Sequence, residues 1–196
     1  MENIQRSHGE WAESDLSYFL ELVKDIKGDI AEVGVWKGDT FRKLLKLSGK
    51  YSKKCHAFDS FEGMAEPGEN DDNHYFKGKF DIGGVNEFKN IFSNEGFDLN
   101  SFSTYEGFVP DCFRTWPSDK ALSFVIIDLD HYKPTVDAME WAWRHLSVGG
   151  IMALDDFVTS HNHHATLAIK EFLRDQVNYH FVNYFNQQLF LKKTMT

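Results

Sequence analysis

Cysteine is nearly absent from this 196-residue chain: there are two, Cys55 and Cys112, in apolar or mixed contexts and without CxxC spacing. That excludes a disulfide framework and a thiolate zinc site, and both thiols are expected to be reduced. Positive charge is also in short supply. Lys and Arg number 21 against 30 Asp and Glu, for a net charge of −9, so no broad face grips a phosphate backbone and no nucleic-acid partner is expected. No apolar run approaches the length of a membrane span, and Met1-Glu2-Asn3-Ile4-Gln5-Arg6 lacks the apolar core of a signal peptide. The expectation is a cytoplasmic protein, free of membrane, that meets a small molecule. With 42% hydrophobic and 15% aromatic residues the composition is globular, and the length suits one domain over residues 1–196.

What is present centres on residues 123–156. Phe124-Val125-Ile126-Ile127 is a short apolar run ending in Asp128-Leu129-Asp130, and Ile151-Met152-Ala153-Leu154 is a second ending in Asp155-Asp156. Between them Trp141, His145 and their neighbours follow helical spacing, and Ser147-Val148-Gly149-Gly150 reads as the turn that stops the helix. A strand, a crossover helix and a strand form a right-handed βαβ unit, so Asp128, Asp130, Asp155 and Asp156 meet at one edge of a parallel sheet. That carboxyl edge is where open α/β sheets bind ligands. Single aspartates at strand ends commonly cap helices or face water. Two pairs on successive strands point instead to a catalytic role or to a hard divalent cation such as magnesium.

Upstream, Leu16, Phe19, Leu20, Val23 and Ile26 predict an amphipathic helix over 13–27, with Ser14 or Asp15 at its start and Gly28 past its end. Residues 1–12, which include His8 and Trp11, read as a flexible terminal segment, a frayed end in preference to a flap that orders over a ligand. Residues 29–35 read as the first strand, and Trp36-Lys37-Gly38-Asp39-Thr40 leads into a helix through about Leu47. Gly34 and Gly38 in that turn leave the backbone open to a ligand, although a tight turn alone also asks for glycine. The pattern E-x-G-x-x-x-G is not the G-x-G-x-x-G dinucleotide fingerprint, which counts against a nicotinamide cofactor. A strand over 54–58 ends in Asp59, about twenty residues past the glycine turn, where nucleotide-binding sheets place an acid that accepts from ribose hydroxyls.

Residues 60–83 are polar and glycine-rich, with Pro67 and the run Glu69-Asn70-Asp71-Asp72, and read as a lid or an insertion. A helix over 85–92, a strand at Phe102-Ser103-Thr104-Tyr105 running into Glu106-Gly107, and a helix carrying Phe108, Cys112, Phe113 and Trp116 complete the first half. After Asp156 come His161, His163 and His164, then a helix on Leu167, Ile169, Phe172 and Leu173. The histidines suit substrate contact or proton transfer better than metal, because hard oxygen ligands lie close by. Residues 179–184 and 189–191 form an antiparallel hairpin. The fold class is therefore α/β, a doubly wound, mostly parallel seven-stranded sheet closed by a C-terminal hairpin, which resembles the class I methyltransferase fold.

Taken together, Glu32-Val33-Gly34-Val35-Trp36-Lys37-Gly38, Asp59-Ser60-Phe61-Glu62-Gly63, Ile127-Asp128-Leu129-Asp130-His131-Tyr132, and Gly149-Gly150 followed by Asp155-Asp156 are similar to the macrocin O-methyltransferase (TylF-like) family. The resemblance covers about residues 28–172. It implies an S-adenosylmethionine-dependent, magnesium-dependent enzyme that methylates sugar hydroxyls of macrolides or hydroxyls of other natural products. It also implies that Glu32 and Gly34 lie along the methionine part of the cofactor, with Gly38 and Thr40 on the same turn. Asp59, with Ser60 beside it, holds the ribose, Glu106 and Gly107 border the adenine, and Asp128 adjoins the cofactor. Asp128, Asp155 and Asp156 match the metal ligands, and the first is also a candidate general base. The chain is shorter than typical members, chiefly at its N-terminus. Asp130-His131-Tyr132-Lys133 is similar to the Asp-His-Trp-Lys of catechol O-methyltransferases, which leaves the acceptor open between a sugar and an aromatic hydroxyl.

Methyl transfer from a sulfonium requires an aligned acceptor oxygen with a lowered pKa and a group to take its proton: Asp128, His131 or Lys133, the last reading better as a solvated lysine. Two rival readings are a metal-independent methyltransferase and a non-catalytic S-adenosylmethionine-binding protein. A homodimer is expected by analogy with related enzymes, and Trp141, Trp143 and the phenylalanines serve an interface as readily as a core.

Overall fold

A computed structural model describes residues 11–72, 74–159 and 163–195. Five helices and seven strands run in the order α1 (Glu13–Leu22), β1 (Asp29–Val33), α2 (Asp39–Ser48), β2 (Cys55–Asp59), α3 (Val85–Asn94), β3 (Phe102–Glu106), β4 (Leu122–Ile127), α4 (Tyr132–His145), β5 (Leu146–Leu154), α5 (His163–Asp175), β6 (Tyr179–Phe185) and β7 (Gln188–Lys193). The strands form one sheet in the order β3-β2-β1-β4-β5-β7-β6. Five are parallel, and β7 runs antiparallel between β5 and β6. The order reverses between β1 and β4, so the expected doubly wound sheet with a terminal hairpin is what the chain forms.

Each central strand is apolar on both faces, as burial between two helical layers requires. Ile30, Cys55, Ala57, Phe124 and Ile126 pack beneath α1, α2 and α3; Ala31, Val33, Phe58, Val125 and Ile127 pack beneath α4 and α5. Cys55 and Cys112 are free and buried on opposite faces of the sheet. Aromatic rings dominate both layers. Phe19 stacks on Phe190 with centroids 3.8 Å apart, and Phe113 on Trp141 at 4.1 Å. Trp141 and Trp143 are buried core residues rather than exposed interface aromatics.

Several elements depart from the sequence reading. The first helix ends at Leu22 rather than Lys27, because tight backbone bonds such as Ile26 N–H to Val23 C=O (3.0 Å) turn the chain into β1. β1 stops at Val33: Gly34 N–H still bonds to Phe58 C=O, and the donors after it, Val35 and Trp36, turn toward a side chain. The expected helix over 108–116 is only a 3-10 turn at Asp111–Phe113, as Pro110 has no N–H to give. Residues 147–150 belong to β5, not to a separate turn: β4 pairs Leu122 with Leu146 and then Phe124 with Ile151, so the intervening residues bulge from the ladder. Trp11, placed in the flexible segment by sequence, is 2% exposed, packs edge-on against Phe190, and its carbonyl accepts from Lys43 Nζ at 2.7 Å. Residues 1–10, with His8, and His161 of the histidine run lie outside the described residues. No described helix is long and apolar enough to cross a membrane.

Candidate active site

The parallel strands end in step. Asp59 pairs with Glu106, and Val33 pairs with both Phe58 and Ile127, which in turn pairs with Leu154. The next backbone N–H groups carry the ladder one residue further: Gly34 to Phe58 C=O (2.9 Å), Asp128 to Val33 C=O (2.9 Å), Asp155 to Ile127 C=O (3.0 Å) and Gly107 to Asp59 C=O (2.9 Å). Asp59, Gly34, Asp128 and Asp155 therefore form one row across the carboxyl edge, with Glu32 one pleat below Gly34. This is the carboxylate edge expected from the βαβ reading.

Glycine at 34 is dictated by that row. Its φ is +84°, and a Cβ there would stand 1.9 Å from the Asp128 carbonyl oxygen. Gly38 (φ +81°) is required by packing, since a Cβ would meet the Phe92 ring at 2.6 Å. Both glycines answer to protein contacts, which is the tight-turn alternative to an approaching ligand.

Asp59 braces the turn. Its Oδ2 accepts from Val35 N–H (2.7 Å) and Trp36 N–H (3.0 Å), and its Oδ1 accepts from Phe61 N–H (2.7 Å). Ser60 Oγ also lies 3.4 Å from Oδ1, and an ionised carboxylate offers about four lone-pair sites, so Asp59 is largely committed to the protein. Ser60 donates to the Gly63 carbonyl at 2.6 Å and helps fold the segment that follows.

A cavity of about 970 Å³ opens over this edge. Of the residues singled out in the sequence, Glu32, Gly34, Thr40, Asp59, Ser60, Gly107, Asp128, His131, Asp155 and Asp156 line it, whereas Gly38 and Glu106 do not. Lys133 does not line it either; it is exposed and paired with Asp137. Sequence reasoning passed over Lys43, Tyr75, Lys79 and Phe80, which also form the wall, and took the segment of Trp11, another wall residue, for a frayed end in preference to a flap over a ligand. The available signal was the placement of Tyr75 and Phe80 among lysines in an otherwise acidic, glycine-rich stretch, and of one tryptophan in a polar terminus.

The electrostatics are one-sided. Burial, then the charges of Asp155, Asp130, Asp156 and Glu32, push Asp128 well above the ordinary carboxylate range. Burial and then Asp156 push Asp155 up to about 8. Burial, then Asp59 and Asp155, raise Glu32, with Lys43 acting in the opposite direction. Glu32 Oε2 and Asp155 Oδ1 are buried without a hydrogen-bond partner. Such groups hold a proton or await a donor or a cation. Among the described residues no three His, Cys, Asp or Glu side chains are arranged to hold a metal ion. The donor set itself, hard carboxylate oxygens with one orphaned Oδ, fits a hard divalent cation in its chemistry. His131 is 3% exposed, begins α4, and its Nε2 is 2.8 Å from the Tyr75 carbonyl oxygen. A carbonyl only accepts, so Nε2 carries the hydrogen.

Comparison with known proteins gives this geometry a family. Over 156 residues the chain is 28% identical to an 8-demethyl-8-(2,3-dimethoxy-alpha-L-rhamnosyl)-tetracenomycin-C 4'-O-methyltransferase of Streptomyces olivaceus, covering 73% of this chain and 59% of that enzyme. It is 28% identical over 145 residues to a mycinamicin III 3''-O-methyltransferase of Micromonospora griseorubida, covering 67% and 56%. The chain thus spans little more than half the length of the curated relatives it matches. Its fold superposes on that of the O-methyltransferase NovP with a TM-score of 0.80 at 21% identity, over 93% of this chain and 79% of that one. The family pattern of macrocin-O-methyltransferase (TylF) matches residues 18–182, and the chain belongs to that family.

Proposed function

We propose that the chain is an S-adenosylmethionine-dependent O-methyltransferase that methylates a hydroxyl of a small natural product, a sugar hydroxyl in the first instance, with magnesium assisting. The observation that carries this reading is the row of carboxylates beside the Gly34 turn, half-buried Asp128 and buried Asp155 on neighbouring strands with Asp155 Oδ1 unpartnered. Family membership and the relatives' activity on sugar hydroxyls support it.

S-adenosylmethionine, when bound, supplies an electrophilic methyl group on sulfur. Glu32, with its orphaned Oε2, would take the cofactor's ammonium, Asp59 would accept from a ribose hydroxyl, and Gly107 and Phe108 would border the adenine. Asp128, Asp155 and Asp156 would hold magnesium, which when bound lowers the pKa of an acceptor hydroxyl and orients it. Asp128 is the candidate to receive the acceptor's proton. Tyr75, Phe80 and Phe108 supply aromatic surface around the cavity.

Calorimetric titration of S-adenosylhomocysteine into the protein, with magnesium and with EDTA, tests this. The expected result is cofactor binding together with magnesium binding that Asp155→Asn abolishes. Cofactor binding without any magnesium binding would replace the reading with a metal-independent transferase, and no cofactor binding would end it.

A further inference from the structure

Residues 60–84 contain no helix or strand among the described residues, only an isolated antiparallel bridge between Glu62 and Asp81. Such a stretch is ordinarily a loosely held loop. Here it is tied down where it passes the active site. Asp71 Oδ1 accepts from Tyr132 N–H at 2.7 Å, at the start of α4, while Asp71 Oδ2 accepts from Gly68 N–H at 2.8 Å. The Asp72 N–H donates to His164 Nε2 at 3.0 Å, at the start of α5. Between these ties and the Lys79 side chain, the buried His131 donates to the Tyr75 carbonyl, and the Tyr75 hydroxyl hydrogen-bonds to the Asp130 side chain. Lys79 Nζ lies 4.2 Å from the Tyr75 ring centroid, and Tyr75 is only 8% exposed. An otherwise irregular loop thus delivers one ring to the wall beside Asp128 and Asp130.

We propose that His131 is a latch that pins Tyr75 as the acceptor-side wall of the site, so that His131 acts by positioning the acceptor. This deepens the function proposed above and rests on it for the identity of the acceptor. The Nε2–H of His131 is committed to a backbone carbonyl 56 residues distant in sequence, a buried bond whose loss leaves a polar atom unsatisfied. A small displacement of the Tyr75 wall is enough to misalign an oxygen that must sit in line with a transferring methyl.

The test compares His131→Ala with His131→Gln, because glutamine keeps an N–H donor yet takes up no proton near neutral pH. Hydrogen exchange across residues 68–80, with S-adenosylhomocysteine affinity measured in parallel, reads the latch without turnover. His131→Ala is expected to raise exchange there at least tenfold with cofactor affinity held within about threefold, and His131→Gln to restore protection. Methyl transfer to a rhamnoside, the sugar in the name of the tetracenomycin relative, is then expected to fall about 100-fold in kcat/KM for the acceptor in His131→Ala. His131→Gln returns it to within about fivefold with an unaltered pH profile, and Tyr75→Ala raises the acceptor KM more than it lowers kcat. Exchange unchanged in His131→Ala overturns the latch, and so does a His131→Gln as inactive as the alanine variant. If the wild-type protein binds S-adenosylhomocysteine and shows the exchange pattern but methylates nothing offered, the latch stands and the proposed acceptor class falls.

Discussion

The two ends of β1 carry acids treated in opposite ways. At its start Asp29 is neutralised: its Oδ2 lies 3.0 Å from His56 Nε2 and 3.1 Å from Lys120 Nζ, and its Oδ1 accepts from Lys54 N–H at 3.2 Å. Burial opposes ionisation there, but those hydrogen bonds outweigh it and hold the carboxyl at about 2. Near its end Glu32 is fully buried with an orphaned oxygen, among Asp59, Asp128 and Asp155, and its pKa moves the other way. One strand and one core thus serve both edges: the acid at the start of β1 is compensated, and at the carboxyl edge Glu32 Oε2 and Asp155 Oδ1 are left without a hydrogen-bond partner. A fold tolerates such a cost where ligand chemistry needs it.

The sharpest break of this contrast is Gly34→Ala. With a Cβ 1.9 Å from a backbone oxygen and φ at +84°, it is expected to lower stability by about 3–4 kcal/mol and abolish S-adenosylhomocysteine binding, read by thermal denaturation and calorimetry. Asp128→Asn separates function from stability at the same edge. Turnover should drop about 10²–10⁴-fold while the melting temperature holds or rises, because a half-buried acid among like charges is removed.

The mirror experiment at the opposite edge is Asp29→Asn, expected to cost about 1–2 kcal/mol with cofactor affinity intact, measured by urea unfolding and calorimetry. Its pH signature has a definite sign. A carboxyl held at about 2 in the folded chain against 3.8 unfolded contributes stability above pH 4 and loses it as pH falls from 4 to 2. The difference between wild type and Asp29→Asn should vanish across that window. Smallest of all, Lys120→Met should cost less than about 1 kcal/mol, since the ammonium is partly exposed and His56 still faces Asp29.

Much of the fold was legible because its signals are local. Apolar runs over 124–127 and 151–154 needed no partner to be read as buried strands, and the hairpin turn at Asn186 and Gln187 followed from its short link. Where local signals ran together, the sequence misled. The Ser147–Gly150 glycines suggested a turn because a bulge uses the same residues, and the aromatics of 108–116 suggested a helix that Pro110 interrupts.

The sequence by itself determined that acids close two neighbouring parallel strands, because strand direction and βαβ handedness place Asp128 and Asp155 side by side whatever else folds around them. Only the tertiary structure decided how each side chain is employed. Asp59 became a brace because Val35 and Trp36 turn their N–H groups onto it, and His131 became a donor because a loop carbonyl from 56 residues away arrives within 2.8 Å. Hydrogen-bond partners of that kind are set by chain crossings distant in sequence, and no local pattern of residue types encodes them.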